Sequence, residues 1–125
     1  MQDEPTPIEL IKAVADFLRH DMLRESSGHN AFKLRVSINA LDLVTRQLTL
    51  QAGGEAAEAG RLAQLLAIQG PLGELNRALA ERIANGEIDL QTPGLAAHLW
   101  QTTLDKLAVD QPNYASYRRE LEGKG

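Results

Sequence analysis

The side chains best placed to do chemistry gather between residues 98 and 119. His98, Thr102 and Asp105 follow one another at i, i+4 and i+7, a spacing that lines polar groups along one helix face for mutual hydrogen bonding. Lys106 and Asp110 form a second i, i+4 pair, and "DQPN" then turns the chain before Tyr114, Tyr117, Arg118 and Arg119. With Trp100, this stretch holds three of the chain's five aromatic residues. Tyr, Trp and Arg are residues of recognition more than of bond-making, because they combine large apolar area with a polar tip. Lys106, Asp110, Gln111, Tyr114, Tyr117 and Arg118 are therefore read as a partner-binding surface. The competing account is that the tyrosines dock a short terminal helix, and both hold if the docked helix is itself the landing site.

A second constellation is the line Arg35, Asn39, Asp42 and Arg46, at i, i+4, i+7 and i+11 in an otherwise apolar segment. Buried Arg and Asn need partners, since an unpaired buried polar group costs roughly 1–3 kcal/mol. Arg35, Asn39 and Arg46 are thus either a structural line paired with carboxylates or an anion-binding groove. Elsewhere the signals are weaker. Asp16 and His20 have metal-ligand spacing but no further ligand near them in sequence, and His29 sits among loop residues. No serine lies in a nucleophile elbow. "AGGEAAEAGR" is glycine-rich but lacks the Gly-Lys-Ser/Thr that grips phosphate. The expectation is a protein with no catalytic residues of its own, no metal and no cofactor.

Composition narrows the class. A chain of 125 residues with 43% hydrophobic content suits one domain, residues 1–125, burying roughly two-thirds of its unfolded surface. Only 4% is aromatic, so the core must be built from Leu, Ile, Val and Ala. A net charge of −4 argues against a nucleic-acid binder, which carries a basic patch or stripe. The absence of cysteine removes thiolate and disulfide chemistry and suits a reducing compartment. "MQDEPTPIEL" is acidic, unlike a secretory signal, and no apolar run is long enough to span a membrane. The reading is a cytoplasmic protein.

Helical periodicity runs throughout, and it must position these groups. Thr6, Pro7 and Glu9 start the first helix as a capping box, followed by the stripe Ile8, Ile11, Ala15, Leu18 and Met22. After "ESSGHN", with Ser27 or Asn30 as cap, residues 31 to about 50 carry apolar residues on two adjacent stripes, predicting a central helix covered on several sides. "QAGGEAAEAG" reads as a flexible lead-in to a third helix with Leu62, Leu65 and Leu66 inward; Ala56, Gly60 and Ala63 would permit close approach of a neighbour. A fourth helix, about 74 to 85, has Leu75, Leu79 and Ile83 at period four and ends at "NG", where Gly86 supplies a left-handed cap. Thr92–Pro93 starts a fifth, with Leu95, Leu99, Thr103 and Leu107 inward, and Pro112 stops it. The prediction is an all-α compact bundle of five helices plus a short C-terminal helix.

The segments "MQDEPTPIELIKAVADFL", "FKLRVSINALDLVTRQL" and "TTLDKLAVDQPNYASYRREL" together resemble a bacterial family of small all-helical proteins. Its members are encoded beside aminoglycoside-phosphotransferase-like kinases and acyl-CoA dehydrogenases. Its kin look like the small subunit of the kinase that phosphorylates 4-hydroxyacyl-CoA in levulinate-type catabolism. By position the family pattern falls on Gln2, Asp3, Pro5 and Thr6, then on Phe32, Arg35, Val36, Asn39 and Arg46. At the far end it falls on Asp105, Lys106, Leu107, Asp110, Gln111, Pro112, Tyr114 and Tyr117. Gln47 stands where the family often has Glu, which removes one charge from any ion pair there.

The resemblance implies a non-catalytic accessory subunit of a phosphotransferase-like kinase acting on hydroxyacyl-CoA. The residues leave two further readings open. One is a stand-alone binder of an acyl-CoA or carboxylate through Arg35 and Arg46. The other is a homodimer or larger homo-oligomer joined along the central helix. No nucleic acid and no membrane is expected among the partners.

Overall fold

The computed structural model describes residues 4–123, and every regular element among them is helical. The order is α1 (Pro7–Phe17), a single π turn (Leu18–Met22), α2 (Gly28–Leu66), α3 (Leu72–Ala84), α4 (Leu95–Asp110) and α5 (Ala115–Gly123). The all-α class follows directly. "QLTLQ", the one stretch with period-two alternation, lies inside α2. Gln2 and Asp3, which belong to the family pattern, fall outside the described residues.

The helix count departs from expectation at one place. The second and third helices of the sequence reading are one continuous 39-residue helix, α2, with no break at "QAGGEAAEAG". Gly53 and Gly54 each cost a helix about 1 kcal/mol relative to Ala. The surrounding Ala and Glu are strong helix formers, and Gln51 Nε2 donates to Glu55 Oε1 one turn on, at 2.9 Å. Local propensity therefore bridges the glycines. The chain divides at this point into two compact units, Met1–Leu50 and Gln51–Gly125.

In the first unit, Thr6 caps α1 as predicted: its Oγ1 accepts from the Glu9 amide at 3.2 Å, and Pro7 occupies the first helical position. The π turn was not foreseen. The Leu23 amide bonds to the Leu18 carbonyl at 2.8 Å, five residues back, and this inserts an extra residue into the register. The inward stripe shifts in consequence. Met22 is turned outward, 38% exposed, and Leu23 takes the half-buried place. The turn also carries Arg19, whose guanidinium donates to Asp16 at 3.0 Å and to Asp42 of α2 at 2.6 Å. Among the described residues of this unit, Ala15, Ala31 and Ile38 are the buried ones. The predicted cover on several sides of α2 is absent, since Phe32, Val36, Val44, Leu48 and Leu50 are all exposed.

The second unit owns the main core. Leu62 and Leu66 of α2, Leu75 and Leu79 of α3, Ile88 from the following turn and Leu95 of α4 close on one another. Ala59, Leu65, Leu72 and Ala78 pack around them. Full burial of each such Leu contributes about 1.5–3 kcal/mol. The carbonyl of Leu66, orphaned at the end of α2, accepts from Arg82 Nη1 at 2.9 Å. As predicted, α3 ends at Gly86, which takes φ +83°, and the Ile88 amide then bonds back to the Arg82 carbonyl at 3.1 Å.

The start of α4 differs from the sequence reading. Thr92 does not cap it. Its Oγ1 accepts from the Asp89 amide at 3.0 Å, closing the preceding turn, and left-handed Gly94, φ +93°, occupies the cap position. The inward face is rotated accordingly. Leu95, His98 and Leu104 are buried, while Leu99 and Thr103 face outward.

Candidate functional site

The closing segment is built on main-chain geometry. Pro112 has no amide to continue α4, so the helix ends at Asp110, with the Gln111 amide still bonded to the Leu107 carbonyl at 2.9 Å. The Gln111 carbonyl then accepts from the Tyr114 amide at 3.0 Å, and the Tyr114 carbonyl from the Arg118 amide at 3.0 Å, which launches α5. On this frame Lys106, Asp110, Gln111, Tyr114 and Arg118 are exposed, whereas Pro112 and Tyr117 are half-buried. The two tyrosines therefore do not share one buried face. Tyr117 packs, and Tyr114 stands 53% exposed with Leu121 at 48%. Arg119 is occupied locally, donating to Ser116 Oγ at 2.9 Å.

The polar line of α4 is completed by a residue that sequence spacing missed. Arg61, on α2, donates through Nε to His98 Nδ1 at 3.2 Å and through Nη2 to Thr102 Oγ1 at 3.3 Å. The same Nη2 lies 3.8 Å from Asp105 Oδ2, and Asp105 Oδ1 accepts from Gln101 Nε2 at 2.9 Å. One guanidinium thus links every member of the i, i+4, i+7 series to the flank of the leucine core. Because Nδ1 accepts this bond, the imidazole is neutral, with its proton on Nε2. Burial pushes the His98 pKa below its ordinary value and the Arg61 charge pushes the same way; the Glu58 carboxylate opposes them. The signal available in the sequence was a lone Arg beside Leu62, Leu65 and Leu66, with no indication of its partner.

The line on α2 is less uniform than its spacing suggests. Arg35 and Asn39 are exposed, so neither carries a burial penalty that a partner must offset. Arg46 is half-buried and engaged. The carboxylate of the series, Asp42, is held by Arg19. Asp16 is also taken by Arg19, and His20 is exposed. The small residues of the later half of α2 leave an open groove of about 370 Å³, lined by Ala59, Gly60, Ala63, Gln64, Gln69, Gly70 and Leu75. No charged side chain lines it, and neither Arg35 nor Arg46 contributes to it.

What the arrangement offers chemically is recognition: fixed polar tips and exposed rings on a hydrogen-bonded frame. Among the described residues, no helix is long and apolar enough to cross a membrane.

A family model, the domain of unknown function DUF6285, matches residues 24–114, and the chain belongs to that family. The match takes in α2, α3, α4 and the turn up to Tyr114; α1, Tyr117 and Arg118 lie beyond it. No curated protein and no solved structure matches the chain.

Proposed function

We propose that the protein is a non-catalytic accessory subunit that binds a phosphotransferase-like kinase acting on hydroxyacyl-CoA substrates, where it completes or steadies the substrate site. The kinase and its substrate class come from the family resemblance, and a cytoplasmic location from the acidic start and the absence of cysteine. The observation that carries the binding role is the closing segment. Tyr114 is half in solvent on a turn fixed by main-chain bonds to Gln111 and Arg118, Lys106, Gln111 and Arg118 are exposed in the same segment, and Tyr117 is half-buried. A preorganised aromatic with basic and amide neighbours is the composition of interface hot spots, and holding it rigid lowers the ordering cost of association. The stand-alone binder reading is weaker, because Arg35 lies on an open helix surface and small ligands are held in concave sites.

Affinity recovery of the tagged protein from lysate of its own source, with mass spectrometry of what it retains, tests this. Recovery of a phosphotransferase-like kinase in near-equal amount is expected, lost in Tyr114→Ala while the helical circular-dichroism signal is kept. Recovery of the protein alone, where the kinase is expressed, contradicts the proposal.

A further inference from the structure

The long helix α2 is covered towards its two ends and bare in between. Thr45 and Arg46 are half-buried in the first unit, and Ala59 and Leu62 belong to the core of the second. Of residues 47–57, all but Gly54 are exposed, so about 16 Å of helix has no buried face. The two compact units meet in sequence within this stretch, between Leu50 and Gln51. Helices in proteins are held mainly by the packing of one face, and unsupported ones shorter than about 12–15 residues are marginal in water. The sequence weakens the stretch further. Gly53 and Gly54 lose the most backbone freedom on ordering, and an added Cβ at either meets nothing within 4 Å, so close packing does not require them. Thr49 Oγ1 donates to the Thr45 carbonyl at 2.7 Å, a back-bond that slightly destabilises helices and often bends them. The side-chain link across the glycines, Gln51 to Glu55, is an exposed i, i+4 pair, a weak kind of support.

We propose that residues 47–57 are a hinge: the stretch opens and re-forms as a local helix–coil unit while α2 stays helical on both sides of it. None of these residues is buried, so opening uncovers no core and breaks only the bonds of a short solvated helix. The paired glycines then let the chain leave the opening in a new direction, since each reaches positive φ at no steric cost. A stretch built for stiffness would carry Ala at both positions, which the open space permits. The closing segment lies wholly within the second unit, so a partner can hold it while the first unit turns. The inference goes beyond the kinase reading and does not depend on it.

The test is amide hydrogen exchange of the full chain, read residue by residue by NMR under conditions where the rate follows the opening equilibrium. Each helical amide bonds the carbonyl four residues back, so opening frees the amides of residues 51–57. They should be at least about 100-fold less protected than those of Leu62–Leu66, and at least about tenfold less than those of Ile38–Asp42. The double variant Gly53→Ala, Gly54→Ala should raise their protection about tenfold or more, because Ala favours the closed helix at both positions. Protection at 51–57 equal to that of Leu62–Leu66 overturns the proposal in favour of a stiff rod. Equal exchange from Ile38 through Ala57 overturns it in favour of the first unit unfolding as a whole. Unchanged protection in the double variant, with the helical circular-dichroism signal kept, overturns it too. No kinase is present in this assay, so its outcome is separate from that of the affinity recovery.

Discussion

From Gln51 onward, leucines of α2, α3 and α4 close on one another until Leu62 and Leu75 are fully buried. Among the described residues up to Leu50, by contrast, two alanines and Ile38 are the buried ones, while Leu10, Val14, Phe17, Phe32 and Val36 face outward. The raw material is similar, apolar residues at helical spacing, and the use is different. One unit closes a leucine core while still exposing Leu90, Leu99 and Trp100. The other displays most of its large apolar residues on α1 and α2. Periodicity reports an apolar face and is silent on what covers it.

The contrast can be broken most strongly in the core. Leu62→Ala should lower unfolding free energy by about 3–4 kcal/mol in urea titration, because a cavity replaces a fully buried side chain. A cost under about 1 kcal/mol would mean that this core is not the source of stability.

Next comes the clamp beside that core. Arg61→Ala leaves the buried His98 Nδ1 without its donor and should cost about 1–3 kcal/mol by the same measurement. Acid should act on the same bond. The folded-state pKa of His98 is depressed below 6.5, so between that depressed value and 6.5 the unfolded chain binds more protons than the folded one. Stability is then complete above about pH 6.5, falls as pH drops through this window and levels off below the folded pKa. His98→Gln should remove that part of the slope in urea midpoints followed against pH.

Smaller effects sharpen the comparison. Gly53→Ala and Gly54→Ala should each raise stability by about 0.5–1 kcal/mol, since an added Cβ meets nothing within 4 Å at either position. Phe32→Ser should change stability by no more than about 0.5 kcal/mol, as a surface change away from any core does. A larger loss would place Phe32 in a packed environment and erase the difference between the units.

Much of the scaffold was legible because it is written locally. Thr6 and Pro7 at the start of α1, Gly86 after α3, Pro112 after α4 and the Leu75–Leu79 repeat each act within a turn or two of their own position. What was not legible depends on competition or on distance. "AGGEAAEAG" holds both breakers and strong helix formers, and the formers prevail within α2. The π turn at Leu18–Met22 leaves no composition signature, yet it moves Met22 out and aims Arg19 at Asp42. On α4 the stripe Leu95, Leu99, Thr103 and Leu107 and the line His98, Thr102 and Asp105 were both visible. Only the position of Arg61, 37 residues before His98, decides that the polar line faces inward. The closing segment was legible as a turn and helix, but the separation of a packed Tyr117 from an exposed Tyr114 needed the fold.

Light scattering of the purified protein mixed with its affinity-recovered kinase tests the accessory-subunit account most directly. The account expects one species with the summed mass, split into its components by Tyr114→Ala. Two species at their separate masses, at concentrations of about tens of micromolar, would contradict it.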